Sequence, residues 1–304
     1  MRNVVIFCFA LIAPWVCTFS LAAGPYEGTL SDAHDHVKGG VQLERIITEM
    51  DKADVDAIVI TRRDTKRFDI GDHPPVTDQE LIAFRKRHPK RVLLGFGLQI
   101  KRWREKDATL IDEIRSQART GNYSLIGEVG LRGGGGTGRK LFVSPSDPLF
   151  HQLLDLAAET HLPVLLHHTN IKPDEFEQLK AAFRSRPEVT VIWAHWCGMS
   201  RADQVRELFT EFPNLHCDLA WLHKAKKTFH VALVDSDFHF LPEWKALIEE
   251  YPDRFLVGAD VTRAEDYDRY PKFINHIRTA LGSLSPATAH RVATENFHHI
   301  LLKD

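Results

Sequence analysis

Six ionisable side chains stand at the ends of short apolar runs, and their residue types are those that bind divalent cations: His34, His36, Glu128, His167, His195 and Asp260. His34 and His36 are two residues apart, so on a β-strand both imidazoles point to the same face and suit two ligands of one cation. A cluster of carboxylates and imidazoles in a dry cavity is costly, unless a divalent cation offsets the carboxylate charge and holds the imidazoles as neutral ligands. The pattern therefore predicts a metal site.

The chemistry expected at such a site is the activation of water. A bound divalent metal lowers the pKa of its water from about 15.7 toward 7 and polarises the carbonyl or phosphoryl oxygen under attack. Asp260 is the candidate general base, because a carboxylate beside that water can take its proton and pass it to the leaving group. His195 is the second catalytic candidate. We expect zinc, with manganese, iron or cobalt as alternatives that suit the same ligands, at one or two ions per chain.

The elements that must position these residues follow a repeating pattern. Runs rich in Val, Ile and Leu alternate with amphipathic stretches, which is typical of repeated βα units. Helix starts are predicted where Asp147 precedes Pro148 and where Ser285 precedes Pro286. The eight predicted strands are Gly28–His36, Ala57–Thr61, Val92–Leu98, Ser124–Val129, Val164–His167, Val189–Ala194, Leu215–Leu219 and Phe255–Gly258.

Eight such units without a break in composition predict an α/β fold, a single (β/α)8 TIM barrel over residues 24–304 with the metal site at the C-terminal ends of the strands. The alternative is an open doubly wound sheet, which usually has fewer strands and an early phosphate-binding glycine turn. The glycine-rich run at residues 133–138 follows the fourth strand and lacks the Lys-Ser/Thr ending of a nucleotide loop. We interpret that run as a lid or spacer.

The order and spacing of the motifs resemble the amidohydrolase superfamily, in particular its amidohydrolase-related branch and the TatD-like metal-dependent hydrolases. The resemblance covers nearly all of the chain after residue 23. It is carried by His34-x-His36, Gly127-Glu128-Val129-Gly130-Leu131, Leu162-Pro163-Val164-Leu165-Leu166-His167, Ala194-His195-Trp196, Gly258-Ala259-Asp260 and Glu295-Asn296-Phe297.

The resemblance also implies roles for the six candidate ligands. His34, His36 and Asp260 would hold one metal, and the histidines of the fifth and sixth strands would hold a second or complete the first. Glu128 resembles the bridging ligand of the TatD-like pattern, where other members use a carboxylated lysine. The sequence departs from the family at His168, where a small or hydroxyl residue is common. Strand alternation lets only one of His167 and His168 point inward. We assign His167, because it stands where the family's histidine follows the Leu-Pro-Val run.

Basic and aromatic residues follow several of the strands and indicate a substrate class. A locally basic mouth would fit an anionic substrate, although the same residues could be solvated loop charges offset by neighbouring acids. The aromatic residues could line a pocket or pack the rim. The substrate-binding candidates are Arg62, Arg132, His168, Trp196 and Trp221.

Residues 1–23 carry one charge, an apolar run and small residues, and we interpret them as a secretory signal peptide. Because Pro14 interrupts the run, it is shorter than the roughly 20 apolar residues that span a membrane. We therefore expect a secreted or periplasmic protein without stable membrane insertion after cleavage. For Cys197 and Cys217, which remain after cleavage, we favour buried unpaired thiols over a disulfide.

The main functional hypothesis is an exported metal-dependent hydrolase of a small ester, lactone, amide or phosphoester. The alternatives are a metal-dependent decarboxylase of the amidohydrolase-related branch and a non-catalytic metal-binding or ligand-binding barrel. Glu128 favours two metals and hydrolysis, whereas one metal with a dispensable Glu128 would favour decarboxylation. A formal net charge of −2 gives no strong field for nucleic acid, so we expect a small-molecule substrate and leave the oligomeric state open.

Overall fold

The computed structural model describes residues 24–63, 74–133, 140–169, 172–222 and 232–302. Within these residues, eight parallel strands alternate with helices and form a nearly closed barrel. The predicted (β/α)8 barrel is therefore confirmed. The predicted signal peptide lies outside the described residues, as does the glycine-rich run from residue 134 to residue 138.

Nine strands make up the sheet: β1 (Leu30–Val37), β2 (Val55–Arg62), β3 (Val92–Phe96), β4 (Leu125–Gly133), β5 (Lys140–Leu141), β6 (Val164–His168), β7 (Val191–Trp193), β8 (Leu215–Asp218) and β9 (Phe255–Leu256). The parallel order is β1-β2-β3-β4-β6-β7-β8-β9, and the short β5 pairs antiparallel with β4. The sequence did not predict β5, so the fifth to eighth predicted strands correspond to β6 to β9.

Helices cover the outside of the barrel at Leu43–Ala53, Asp78–Arg87, Ile100–Arg104, Thr109–Ala118, Pro148–Thr160, Pro173–Ser185, Ala202–Glu211, Pro242–Glu250, Ala264–Tyr267, Tyr270–Leu281, Pro286–His290 and Asn296–Leu301. Both predicted helix starts are confirmed. The Asp147 carboxylate accepts a hydrogen bond from the Leu149 amide at 3.0 Å, and the Ser285 hydroxyl accepts one from the Thr288 amide. Among the described residues, no helix has the length and apolar character needed to cross a membrane.

The seam between β9 and β1 closes through the segment that follows β9. The Asp260 amide donates to the His34 carbonyl at 2.7 Å, and the His36 amide donates to the Val261 carbonyl at 2.9 Å. These two bonds pair residues 260 and 261 with His34 and His36, so they bring the Asp260 side chain beside the two histidines of β1. The closure of the barrel therefore assembles half of the candidate site.

Two buried carboxylates strengthen this seam at a bulge in β1. Asp32 Oδ1 accepts hydrogen bonds from the amides of His34 and Ala259, both at 3.1 Å. Asp35 Oδ1 accepts one from the Val261 amide at 2.7 Å. Buried polar groups must find partners, and here the partners are the backbone on either side of the seam. The two aspartates thus fix β1 to the segment that carries Asp260.

Candidate metal centre

The six predicted ligands converge at the C-terminal ends of the strands in two groups of three. The His–His–Asp group contains His34, His36 and Asp260, and the Glu–His–His group contains Glu128, His167 and His195. Within each group, one ligand atom from every residue lies within 4.8 Å of the others. The structure therefore brings together every residue that the sequence predicted as a metal ligand.

The His–His–Asp group has the donor arrangement of a cation site. His34 Nε2 lies 3.1 Å from His36 Nε2, and His36 Nε2 lies 3.3 Å from Asp260 Oδ1. Asp260 Oδ1 is buried and has no hydrogen-bond partner among the described residues. A buried carboxylate oxygen that faces two imidazole nitrogens fits a divalent cation, because the cation would satisfy all three donors at once.

In the Glu–His–His group, Glu128 lies between the two sets of histidines. Its Oε1 is 2.6 Å from His167 Nδ1, and that nitrogen is 3.1 Å from His195 Nε2. Across the site, Glu128 Oε2 is 3.4 Å from His36 Nε2 and Oε1 is 3.6 Å from His34 Nε2. This carboxylate is thus within reach of both groups, as a bridging ligand would be.

The glycine immediately before Glu128 lets the backbone pass close to β6 and so place the Glu128 side chain in the site. Gly127 has a φ of 134°, a backbone conformation that residues other than glycine rarely adopt. A Cβ at this residue would lie 2.4 Å from the Leu165 carbonyl oxygen on β6. The Gly-Glu pair of the sequence motif therefore has a steric reason: the backbone passes too close to β6 for any other residue.

His195 stands in a left-handed turn rather than on a strand. The sequence extended the sixth strand to Ala194, but β7 ends at Trp193 and residues 194–199 form the turn. His195 has φ of 60°, and its amide donates to Asp218 Oδ1 at 2.7 Å. The turn directs the imidazole back over the barrel mouth.

Asp218, which the sequence analysis did not name, connects the two groups. Its Oδ2 accepts a hydrogen bond from His34 Nδ1 at 2.7 Å, and its Oδ1 accepts from the His195 and Ala220 amides. A proton held at Nδ1 leaves His34 Nε2 as the metal-binding nitrogen. The available signal was its position as the last residue of β8, at the level where the other strands end in ligands.

The charges of the His–His–Asp group depend on one another. Burial lowers the pKa of His34, but the carboxylates of Asp218, Asp260 and Glu128 outweigh it and raise that pKa to about 10. A cation that binds His34 Nε2 would therefore displace a proton from that nitrogen. Burial raises the pKa of Asp260, but His34 and His36 hold it below its ordinary value. Asp260 is consequently ionised at neutral pH.

The same balance governs the Glu–His–His group. Burial raises the pKa of Glu128, yet the charge and hydrogen bond of His167 keep it well below the usual range for glutamate. For His195, burial dominates and lowers the pKa, so this imidazole is neutral at neutral pH. An ionised carboxylate and a neutral imidazole are the forms that bind a divalent metal.

Arg63, rather than the predicted Arg62, is the arginine that reaches the site. Arg62 Nε lies 3.0 Å from Asp78 Oδ1 outside the barrel. Arg63 Nη1 is 3.6 Å from Glu128 Oε2 and 3.8 Å from Asp260 Oδ1, with 29% of its side chain exposed. The predicted Arg62 therefore lies away from the site, because side chains alternate along β2 and Arg63, the residue that follows β2, continues the inward-facing series.

Two further substrate candidates lie on the helix side of the sheet. Arg132 is buried, and its Nε and Nη2 donate to the two oxygens of the Glu175 carboxylate. His168 is fully buried, with Nε2 3.9 Å from Glu175 Oε2. Burial, together with the charge of Arg132, lowers the pKa of His168 to about 3, so this ring is neutral. The structure thus pairs Arg132 and His168 with Glu175 on the outer side, and alternation along β6 turns His167 inward and His168 outward.

Of the two aromatic candidates, one is buried in the core and the other borders the site. Trp196 is fully buried in the hydrophobic core. Trp221 stacks on the His195 ring, with centroids 4.2 Å apart and an interplanar angle of 27°. The Trp221 ring therefore forms one wall of the candidate site.

The cysteines that the sequence favoured as unpaired form a disulfide. Cys197 and Cys217 have Cα atoms 4.9 Å apart and are bonded through their sulfurs. The expectation of free thiols was wrong because it placed Cys197 on an extended strand. The left-handed turn after β7 instead bends Cys197 against the end of β8.

Comparison with known proteins identifies the family of this barrel. The chain resembles an uncharacterised TIM-barrel protein from Bordetella bronchiseptica, with 14% identity over 90% of this chain and 98% of that chain and a TM-score of 0.62. It also resembles a probable 2-pyrone-4,6-dicarboxylic acid hydrolase from Acinetobacter baumannii with citric acid bound, at 12% identity, coverage of 90% and 98%, and a TM-score of 0.57.

A third similar structure is a dihydroxybenzoic acid decarboxylase from Polaromonas with bound manganese and the inhibitor 2-nitroresorcinol. It shares 10% identity, with 90% of this chain and 96% of that chain covered and a TM-score of 0.56. No protein of curated function matches the sequence. The family described as amidohydrolase matches residues 49–296. The chain therefore belongs to the amidohydrolase family of metal-dependent enzymes, which act on small molecules.

Proposed function

We propose that this protein is a hydrolase that uses two divalent cations to cleave a small anionic ester, lactone, amide or phosphoester. The observation that carries the proposal is the position of Glu128, whose two oxygens lie 3.4 Å from His36 and 2.6 Å from His167. A carboxylate that belongs to one set of three donors and reaches the other suits two cations. Such paired sites occur in many hydrolytic enzymes. Zinc is the expected metal, with manganese, iron or cobalt as alternatives.

When bound, the cations would lower the pKa of a water molecule and polarise the oxygen under attack. The residues of this chain would then move the proton. Asp260 is ionised, and its unpartnered Oδ1 faces the space between the histidines, so it can accept a proton from the water and return it to the leaving group. His195 offers a neutral ring, and Trp221 stacks on that ring and excludes solvent from one side.

Arg63 supports an anionic substrate. Its guanidinium stands at the rim within 4 Å of both Glu128 and Asp260 and is partly exposed. A planar guanidinium binds carboxylate and phosphate groups well, and here it would hold such a group beside the reacting bond. The similar hydrolase with citric acid bound is consistent with this class of ligand.

A decarboxylase is the second candidate function. Structures similar to this chain include a dihydroxybenzoic acid decarboxylase with bound manganese. Decarboxylation would also use an arginine at the rim and a single metal, for which the His–His–Asp group alone would suffice. Such a reaction needs no bridging carboxylate, so the two proposals differ in whether Glu128 is required.

We also propose that the protein is exported. The buried Cys197–Cys217 disulfide supports export, because disulfides persist in secreted and periplasmic proteins and are rare in the cytosol. Expression of the full chain in bacteria, followed by fractionation and N-terminal sequencing, would test this. We expect a periplasmic product that begins near residue 24, and an uncleaved cytosolic product would contradict export.

The test of the reaction uses water labelled with oxygen-18. The metal-loaded protein is offered carboxylate-bearing lactones, esters, amides and phosphoesters, together with aromatic carboxylic acids. Hydrolysis predicts one labelled oxygen per bond cleaved, carried by the carboxylate or phosphate product, and no carbon dioxide. Release of carbon dioxide from an aromatic acid, with no hydrolysis of any member of the panel, would contradict the hydrolase and support the decarboxylase.

Arg62→Ala and Arg63→Ala form a matched pair that tests the anionic substrate. Loss of Arg63 should raise KM about tenfold or more, as expected for a lost charge-assisted hydrogen bond of about 1.5–3 kcal/mol. Loss of Arg62, whose partner is Asp78, should leave KM unchanged. An equal effect of the two substitutions would remove Arg63 from the substrate site.

A further inference from the structure

The disulfide joins two segments that carry residues of the candidate metal centre. Cys197 comes two residues after His195, and Cys217 immediately precedes Asp218. Both cysteines are fully buried. The bond therefore joins the turn that presents a candidate ligand to the strand that presents the carboxylate supporting it.

Asp218 forms hydrogen bonds with one residue of each group of ligands. One of its oxygens contacts the His34 imidazole at 2.7 Å, and the other accepts the His195 amide at 2.7 Å. The side chain is fully buried, so its position is fixed by these bonds and not by solvent. A small displacement of Asp218 would consequently disturb both the His–His–Asp group and the Glu–His–His group.

The turn that carries His195 needs such support. His195, Trp196 and Cys197 have φ values of 60°, 42° and 55°, and left-handed conformations cost residues other than glycine about 1–2 kcal/mol each. The next residue, Gly198, is also left-handed, and a Cβ there would lie 2.3 Å from the His168 carbonyl oxygen. Backbone of this kind persists only where the surrounding structure holds it.

We propose that the Cys197–Cys217 disulfide and Asp218 act as one positioning unit that holds His34 and His195 in the geometry required for binding metal. The inference rests on the metal-dependent function proposed above. The disulfide fixes the left-handed turn against β8, and Asp218 transmits that position to an imidazole of each group. Neither cysteine contacts substrate or metal in this account.

Cobalt binding tests the proposal without reference to catalysis, because the visible absorption of Co²⁺ reports its coordination. The full chain and the Cys197→Ala/Cys217→Ala variant are loaded with Co²⁺ and compared by metal content, absorption spectrum and rate of loss to a chelator. We expect the variant to keep its far-UV circular dichroism, to show an altered spectrum and to lose cobalt at least tenfold faster than the wild type. A wild-type spectrum and loss rate in the folded variant would overturn the proposal.

Two further variants make this experiment decisive. Val205→Ala removes buried methyl groups from the helix Ala202–Glu211 and controls for lost stability, so its cobalt spectrum should match the wild type. Asp218→Asn keeps the disulfide and the shape of the side chain. It tests the positioning of His34 and His195 if the double variant does not fold. We expect Asp218→Asn to alter the cobalt spectrum as well, and an unchanged spectrum would overturn the proposal.

The outcomes also separate this inference from the proposed function. A wild-type chain that takes up no cobalt would contradict the metal-dependent function and the positioning unit together. A wild-type chain that binds cobalt, with variants that bind it identically, would contradict the positioning unit alone and leave the hydrolase proposal intact.

Discussion

The two groups of ligands are held in place by different physical means. The His–His–Asp group lies along the β1 seam, where buried Asp32, Asp35 and Asp218 bond to its backbone or its imidazole. The Glu–His–His group depends more on backbone conformations that few residues adopt, at Gly127 and in the turn at residues 194–199. The contrast is one of degree, because Asp260 also has a positive φ, of 53°, and the His195 amide also bonds to Asp218.

This difference predicts how each group fails. Polar contacts around the first group can be weakened one at a time, because each bond contributes separately to its position. The second group depends on local backbone geometry, so a single added methyl group is expected to displace a ligand. The following predictions test that contrast, beginning with the largest expected effect.

Substitution of Asp260 by Asn should have the largest effect on activity. The change keeps the shape of the side chain but removes both the candidate base and a charged ligand, so we expect kcat/KM to fall by about 10²–10⁴-fold or more. The matched control is Asp268→Asn, an exposed aspartate whose carboxylate pairs with Arg45 at 2.6 Å. Asp260→Asn activity within tenfold of the control would remove Asp260 from the mechanism.

Gly127→Ala should displace Glu128 and reduce metal binding. The new Cβ would meet the Leu165 carbonyl oxygen at 2.4 Å, and the backbone φ of 134° adds strain of about 1–3 kcal/mol. Gly121→Ala is the matched control, since Gly121 also has a positive φ, of 69°, but nothing lies within 4 Å of an added Cβ.

Metal content and thermal unfolding of the two glycine variants would be measured together. We expect both variants to unfold at lower temperature than the wild type, but only Gly127→Ala to lose metal. Equal metal content in the two variants would show that the Glu–His–His group tolerates movement of its backbone, contrary to the comparison above.

Tyr270→Phe should have a smaller effect, on stability rather than chemistry. The Tyr270 hydroxyl donates to Asp32 Oδ2 at 3.0 Å, and both groups are buried. Loss of a donor to a buried carboxylate should lower the free energy of unfolding by about 1–3 kcal/mol. Tyr267→Phe removes a hydrogen bond of the same length to the His36 carbonyl and should cost about 1 kcal/mol.

Chemical denaturation would measure the two tyrosine variants. If hydrogen bonds hold the His–His–Asp group, both variants should be destabilised and Tyr270→Phe should be the less stable. Unfolding free energies equal to that of the wild type would indicate that packing, and not hydrogen bonding, maintains the β1 seam.

The barrel and the ligand set were predictable because both follow from local pattern. Alternating apolar runs and amphipathic stretches indicated the βα units, and ligand-type residues at five of the eight predicted strand ends indicated the site. The His34-x-His36 spacing worked because the side chains of a strand repeat every two residues. These features need no knowledge of which segments meet in space.

The errors arose where a one-residue shift or a turn changed the direction of a side chain. Arg62 and Arg63 are neighbours with the same chemistry, and only the register of β2 decides that Arg63 faces the site. The left-handed turn after β7 buried Trp196 and brought Cys197 to Cys217, and nothing in the apolar pattern announces such a turn. Asp218 was missed because its strand carries a single polar side chain at the relevant level.

The measurement that tests the central claim most directly is the number of metal ions per chain in the wild type and in Glu128→Gln. Glu243→Gln, an exposed substitution on the helix Pro242–Glu250, is the control. Elemental analysis should find two ions in the wild type and the control but one in Glu128→Gln, because Glu128 lies between the two groups. One ion in all three proteins would contradict the two-metal site and favour decarboxylation.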